Sequence, residues 1–260
     1  MHFGNNHSRH FGLVFAQACF LAAISIFSSQ PFQPLLRAQD HPMPAGHEGM
    51  VMDDSVPEPS PAKLLADKRE SEFNHHLAGF FVVLAGIFIL AEGRLSARWP
   101  AVRYAWPLCF LLAGIFVFVF SDTELWPFGR QSWLFGLSHH AEVRQHKTFA
   151  AILLALGVIE VLRVRGTLKA AWSAWVFPVL AIAGSIILIF HEHGGGMHGA
   201  NHMEVMARIQ HQHMSYLAAG LGIGLTKGLS EIKTGWQGLF AKLWPSIMIV
   251  LGVLLMFYVE

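Results

Sequence analysis

Six apolar runs, at 77–91, 105–120, 148–162, 170–190, 214–229 and 243–259, set the limits on what this chain can fold into. With 53% hydrophobic and 13% charged residues and a mean hydropathy of +0.44, it is too apolar for an ordinary soluble domain. The expected fold class is all-α, a polytopic membrane bundle of six transmembrane helices. A helix needs about 20 residues to cross about 30 Å of hydrocarbon. Several runs are shorter, so their polar flanks should sit close to the hydrocarbon edge, or the bilayer should thin locally.

A net charge of +1, with no basic stripe interleaved with aromatics, excludes nucleic acid as a partner and leaves the lipid bilayer. Cys19 and Cys109 lie in separate apolar runs. Their spacing matches neither a disulfide framework nor a thiolate zinc site.

Ahead of the six runs, residues 1–38 carry one arginine, Arg9, and then an apolar stretch at 11–27. They read as a signal peptide or a signal-anchor helix, with Ala38 a poor cleavage position. Residues 39–72 are rich in proline and polar side chains and are expected to be flexible. Within them HPMPAGHEGMVMDD supplies His41, Met43, His47, Met50 and Met52. The segment 73–260 holds the six-helix domain.

Lys and Arg in the short connections give the orientation. Alternate connections hold Arg94, Arg98 and Arg103, then Arg163, Arg165 and Lys169, then Lys227, Lys233 and Lys242, and these face the cytoplasm. The connections between them hold Asp122, Glu124, Glu142, Glu192 and Glu204 against Arg130, Arg144, Lys147 and Arg208. An apolar N-terminal segment entering from the cytoplasm gives the same orientation.

On that map every histidine beyond the first ten residues falls on the outer side: His41, His47, His75, His76, His139, His140, His146, and six in the loop 191–213. That loop, HEHGGGMHGANHMEVMARIQHQH, contains His191, His193, His198, His202, His211 and His213, with Met197, Met203 and Met206. Imidazole nitrogen and thioether sulfur together suit copper, and imidazole also suits zinc and nickel. His-rich tracts point to metal binding.

The helices that descend from the outer face also share a start. Each opens on an amide followed by histidine, at Asn74-His75, Gln145-His146 and Gln212-His213, and a fragment LAGIF recurs at 84–88 and 112–116. Three helical hairpins with equivalent histidines would bring three imidazoles to one centre at the outer boundary, where ionisable groups are by default functional. Asp122 or Glu142 would then accept from a ligating imidazole and fix its tautomer. On a continuous helix His139 and His146 would share a face.

Other features read more plainly. Gly220, Gly224 and Gly228 form a small-residue stripe that admits a neighbouring helix. Glu160 and Arg163 read as a snorkelling pair. Trp106, Trp126, Trp133, Trp172, Trp175 and Trp244 read as interfacial aromatics.

The outer-face histidines, the QHK and FHEHGGG junctions and the terminal LWPSIMIVLGVLLMFYVE resemble the copper-resistance protein D group of bacterial inner-membrane proteins. The likeness covers about residues 70–260, and HPMPAGHEGMVMDD is similar to the Met and His repeats of periplasmic copper-handling proteins. What the resemblance implies is copper handling at or across the inner membrane, with the His-rich side periplasmic and a periplasmic copper carrier as a possible partner. It transfers no ligand residue.

Three functions stay open. The first is copper binding by His75, His76, His139, His140, His146 and the loop histidines, helped by His41, Met43, His47, Met50, Met52, Met197 and Met203. The second is a b-type haem held by two histidines. The third is a zinc hydrolase in which Glu72 or Asp122 activates water. Binding, sensing or delivery is favoured over catalysis.

Overall fold

A computed structural model describes residues 60–190, 202–232 and 235–259. The signal-peptide or anchor reading of 1–38, the His/Met patch at 41–52 and the loop residues 191–201 lie outside them. The described chain is all-helical. Its only extended pairing among the described residues is one isolated bridge, Leu125 with Gln131.

Helix α1 runs Pro61–Leu95. It begins earlier than the flexible reading of 39–72 allows, and the correction has a local cause. The Ser60 hydroxyl accepts from the Lys63 backbone N–H at 3.3 Å, and Pro61 occupies the first turn, where its missing N–H costs nothing. Lys63–Asp67 and Lys68–Glu72 then pair across successive turns at 3.5 and 3.7 Å. At 35 residues the helix is about 52 Å long, well beyond a bilayer's hydrocarbon, so its polar first turns stand clear of the apolar part.

A 3-10 turn, Pro100–Tyr104, leads into α2, Ala105–Phe120. A connecting loop carries the short α3, Trp133–His139, and then α4 runs Ala141–Val164. His140 breaks the helix between them with φ −111° and ψ 113°. His139 and His146 therefore do not ride one continuous helix.

Helix α5, Ser173–Ile187, ends in a 3-10 turn, Leu188–Phe190. Helix α6 runs His202–Glu231 and α7 runs Gln237–Met256. The second half of the expected loop 191–213 is thus the start of α6. Its residues MEVMARIQ are mostly good helix formers, and Glu204 and Arg208 pair one turn apart at 3.5 Å.

Helix α1 packs on α2 and α7, α2 on α4, α4 on α5, α5 on α6, and α6 on α7, which closes a ring. The closure needs bare backbone. A Cβ on Gly79 would stand 2.5 Å from the Gly252 carbonyl oxygen, and one on Gly252 would stand 2.6 Å from that of Gly79. The 220/224/228 stripe serves the α5–α6 seam in the same way, facing Ser185, Ile182 and Pro178.

Inside the ring Trp106, Phe110, Phe177 and Trp244 pack edge to face, with centroids 5.2–6.4 Å apart. Trp106 and Trp244, expected at the interface, are instead core residues. Each finds an aromatic partner across the ring, which offsets loss of the interfacial site. Outside the ring Leu112, Ile115, Leu225 and Val250 are exposed. That pattern suits lipid rather than water.

Three helical stretches, Ala62–Leu95, Pro100–Phe120 and Gln237–Met256, are long and apolar enough to cross a membrane. Helix α5 is apolar but short. Helices α4 and α6 are lengthened by polar turns at one end.

Candidate metal centre

The histidines of the three N/Q-His starts lie on α1, α4 and α6, alternate members of the ring. The His75 and His213 rings meet edge to face with centroids 6.4 Å apart. His146 is within electrostatic reach of His213.

Each ring is oriented by the same device. His75 Nδ1–H donates to the Ser71 carbonyl at 2.8 Å, one turn back on its own helix, and His213 Nδ1–H donates to the Ile209 carbonyl at 2.9 Å. His146 Nδ1–H donates to Asp122 Oδ1 at 3.0 Å. Carbonyl and carboxylate oxygens only accept here, so the proton of each neutral imidazole sits on Nδ1. Nε2 then carries the lone pair, the tautomer that binds a metal while an outer acceptor holds the ring.

Asp122, placed by the end of α2, anchors a wider network. Ser121 Oγ donates to its Oδ2 at 2.5 Å, and Lys147 Nζ approaches that oxygen at 2.8 Å. The same ammonium donates to the Phe118 carbonyl at 2.8 Å and Ser121 Oγ at 3.2 Å, and lies over the Phe118 and Trp133 rings. Burial alone would push the Asp122 carboxyl up. Hydrogen bonds from His146, Lys147 and Ser121 outweigh it and hold the group below its ordinary value of 3.8. Asp122 is thus a carboxylate at any physiological pH.

The protruding turns of α1 are stitched to the same loop. Thr123 Oγ1 donates to Glu70 at 3.0 Å, and Lys63 Nζ donates to Glu124 at 3.2 Å.

Tyr258 completes this end and was not among the expected residues. Fully buried, it stacks on His75 at 3.9 Å between centroids and stands 6.2 Å from His213. His76 Nε2–H donates to its carbonyl at 3.0 Å. Gln212 grips Val259 twice, donating to its carbonyl at 2.9 Å and accepting from its N–H at 3.3 Å. His76 therefore braces the last turn of chain. Tyr216 meets His213 at 5.6 Å and donates to Gln212 and to the Leu254 carbonyl.

Of the other expected ligands whose side chains are described, none joins this group. His139 stacks on Phe135 at 4.3 Å, and His140 bonds Gln131 at 2.8 Å, both on the exposed loop. His211 is exposed on α6, and Glu142 lies half-buried in the first turn of α4. Of His202 and Met203 only the helical backbone is described. His191, His193, His198, Met197, His41, Met43, His47, Met50 and Met52 lie outside the described residues.

Among the described residues no three His, Cys, Asp or Glu side chains are arranged to hold one metal ion. The described part of this end supplies a histidine pair with a third imidazole nearby. The 6.4 Å between the His75 and His213 ring centroids is close to the roughly 6 Å of two imidazoles that share an ion, while their edge-to-face attitude is not that of a formed pair.

Fold and site together define an all-helical membrane protein with a histidine-bearing end. The chain matches no protein-family model, no curated protein and no solved structure.

Proposed function

We propose that this chain binds a transition metal, copper in the first place, at the histidine end of a six-span helical ring in a bacterial inner membrane. The single observation that carries the reading is the shared tautomer of His75, His146 and His213, three imidazoles each with Nδ1–H spent on an oxygen. A pair such as His75 and His213 suits a low-coordinate ion. Further donors come from His191, His193, His198 and Met197, which the sequence brings to the start of α6. Mixed imidazole and thioether donors favour copper over zinc. The positive residues at the far ends of the helices support a periplasmic histidine end.

The polar ends of α4 and α6 and the shortness of α5 are compatible with six spans when α1, α2 and α7 set the thickness, since neighbours in a ring shield short members from lipid. In this reading the His/Met patch at 41–52 collects the ion, and a periplasmic carrier is the natural donor or recipient.

The test is elemental analysis with an absorption spectrum on detergent-purified protein. Wild type is compared with His75→Ala/His213→Ala and with His191→Ala/His193→Ala, and circular dichroism confirms retained helix. Copper is expected in wild type, lost in the first pair and reduced in the second. Metal-free wild type, or a Soret band in place of copper, defeats the proposal, the latter in favour of two-histidine haem.

A further inference from the structure

The loop between α2 and α4 is firmly built yet presents apolar side chains outward. Trp126 is 67% exposed, Phe128 56% and Leu134 80%. Water-facing loops are usually polar, and a patch of this kind marks a surface that something covers.

What covers it follows from an aromatic file that runs without interruption off the membrane-crossing helices. Phe73 of α1 meets Phe116 of α2 at 6.0 Å, Phe116 stacks on Phe120 at 5.5 Å, and Phe120 stacks on Phe128 of the loop at 5.5 Å. A second link joins Phe118 to Trp133 at 5.2 Å, where α3 begins. Phe118 and Phe120 are exposed on α2, at the end of a stretch of 21 residues long and apolar enough to span. Such a stretch is about 31 Å long, close to the hydrocarbon thickness, which sets Phe120 at its edge and Phe128 just beyond.

The patch is held in that attitude rather than dangling. Trp133 Nε1–H donates to the Trp126 carbonyl at 2.7 Å, and Trp126 N–H donates to the Gln131 carbonyl at 2.9 Å. Lys147 pins Trp133 from beneath. Arg130, exposed beside the aromatics, adds a cation at the level of lipid phosphates.

We infer that the loop 121–140, with α3, is an interfacial membrane anchor that lies in the headgroup boundary of the leaflet on the histidine end. The chemistry is that of aromatic belts and in-plane amphipathic segments, with apolar rings at the acyl edge and the cation among phosphates. The inference stands apart from the metal reading, because no ligand histidine carries it.

The experiment uses the full chain with Cys19→Ser and Cys109→Ala, reconstituted in phosphatidylcholine and phosphatidylglycerol vesicles. A nitroxide is attached at Leu134→Cys, at Leu112→Cys on the lipid-facing side of α2, or at Ala207→Cys on the exposed start of α6. Collision with oxygen is compared with collision with a water-soluble nickel chelate. For Leu134 the oxygen-to-nickel ratio is expected to exceed that of Ala207 several-fold and to approach that of Leu112. A ratio equal to that of Ala207 overturns the inference. So does protection from both agents with spin–spin broadening, the signature of a second copy on the patch.

Discussion

The two ends of the helical ring both bury charge, but they neutralise it differently. At the far end Glu160 and Glu231 each find a base on their own helix. Arg163 donates to both oxygens of Glu160 at 2.8 and 3.0 Å, and Lys227 pairs with Glu231 one turn on while resting over Trp244 at 5.2 Å. Glu160, Arg163 and Lys227 line a pocket of about 530 Å³ beside Trp106. At the histidine end one carboxylate, Asp122, serves His146 and Lys147 of a different helix, and two further imidazoles lean on backbone carbonyls. Local pairs make an end that is self-sufficient. Shared, cross-helix acceptors make one whose donors are aimed, which suits an end that holds a ligand.

The contrast breaks most sharply at Asp122. Asp122→Asn strands Lys147 in a buried site and should cost about 3–5 kcal/mol, the range for removing one partner of a buried pair. Thermal unfolding in detergent reads it, and an unchanged melting temperature would remove the anchor role. Next comes the closure. Gly252→Leu should cost about 1–3 kcal/mol through the clash with α1, and by loosening Tyr258 it should also weaken the copper binding proposed above.

A pH series sharpens the comparison further. The Asp122 carboxyl is held below its ordinary value of 3.8, so the stability it lends is complete above that value and is lost as pH falls through the lower, folded value. The acid-induced drop in melting temperature should therefore shrink in Asp122→Asn, and equal drops in both proteins would contradict this. At the far end Arg163, whose side chain is 24% exposed, can relax towards water. Glu160→Gln should therefore cost less than Asp122→Asn by the same melting assay. The smallest effect belongs to Lys63→Ala, which removes exposed pairs worth below about 1 kcal/mol.

The helical class was legible because 15 to 20 apolar residues in a row admit little else. Two helix starts were not. Residues 61–72 and 202–213 are polar, and polarity reads as loop when the real signal is a Ser-Pro cap at Ser60-Pro61 and acid–base pairs one turn apart. The repeated amide–histidine dipeptides did mark side chains that now lie at one end, since equal position in successive hairpins puts equal residues at equal height. Lys147, beside His146 in QHK, looked like a connection charge because sequence does not reveal that Phe118, Ser121 and Asp122 surround it. Trp106 and Trp244 were misread for a related reason, as an indole at a helix end is interfacial or core according to what stands across the ring. Tyr258 carried no signal at all, being one aromatic in an apolar tail.

That tail sets an order of events. Tyr258 reaches the cleft beside His75 and His213 only after α7 has been made, inserted and docked on α1 through Gly79 and Gly252. During synthesis the chain therefore carries His75 through roughly the last two thirds of its length before the pocket around it exists. On the proposed function, an ion arriving early would meet separate imidazoles rather than a finished cradle, and loading would wait for α7.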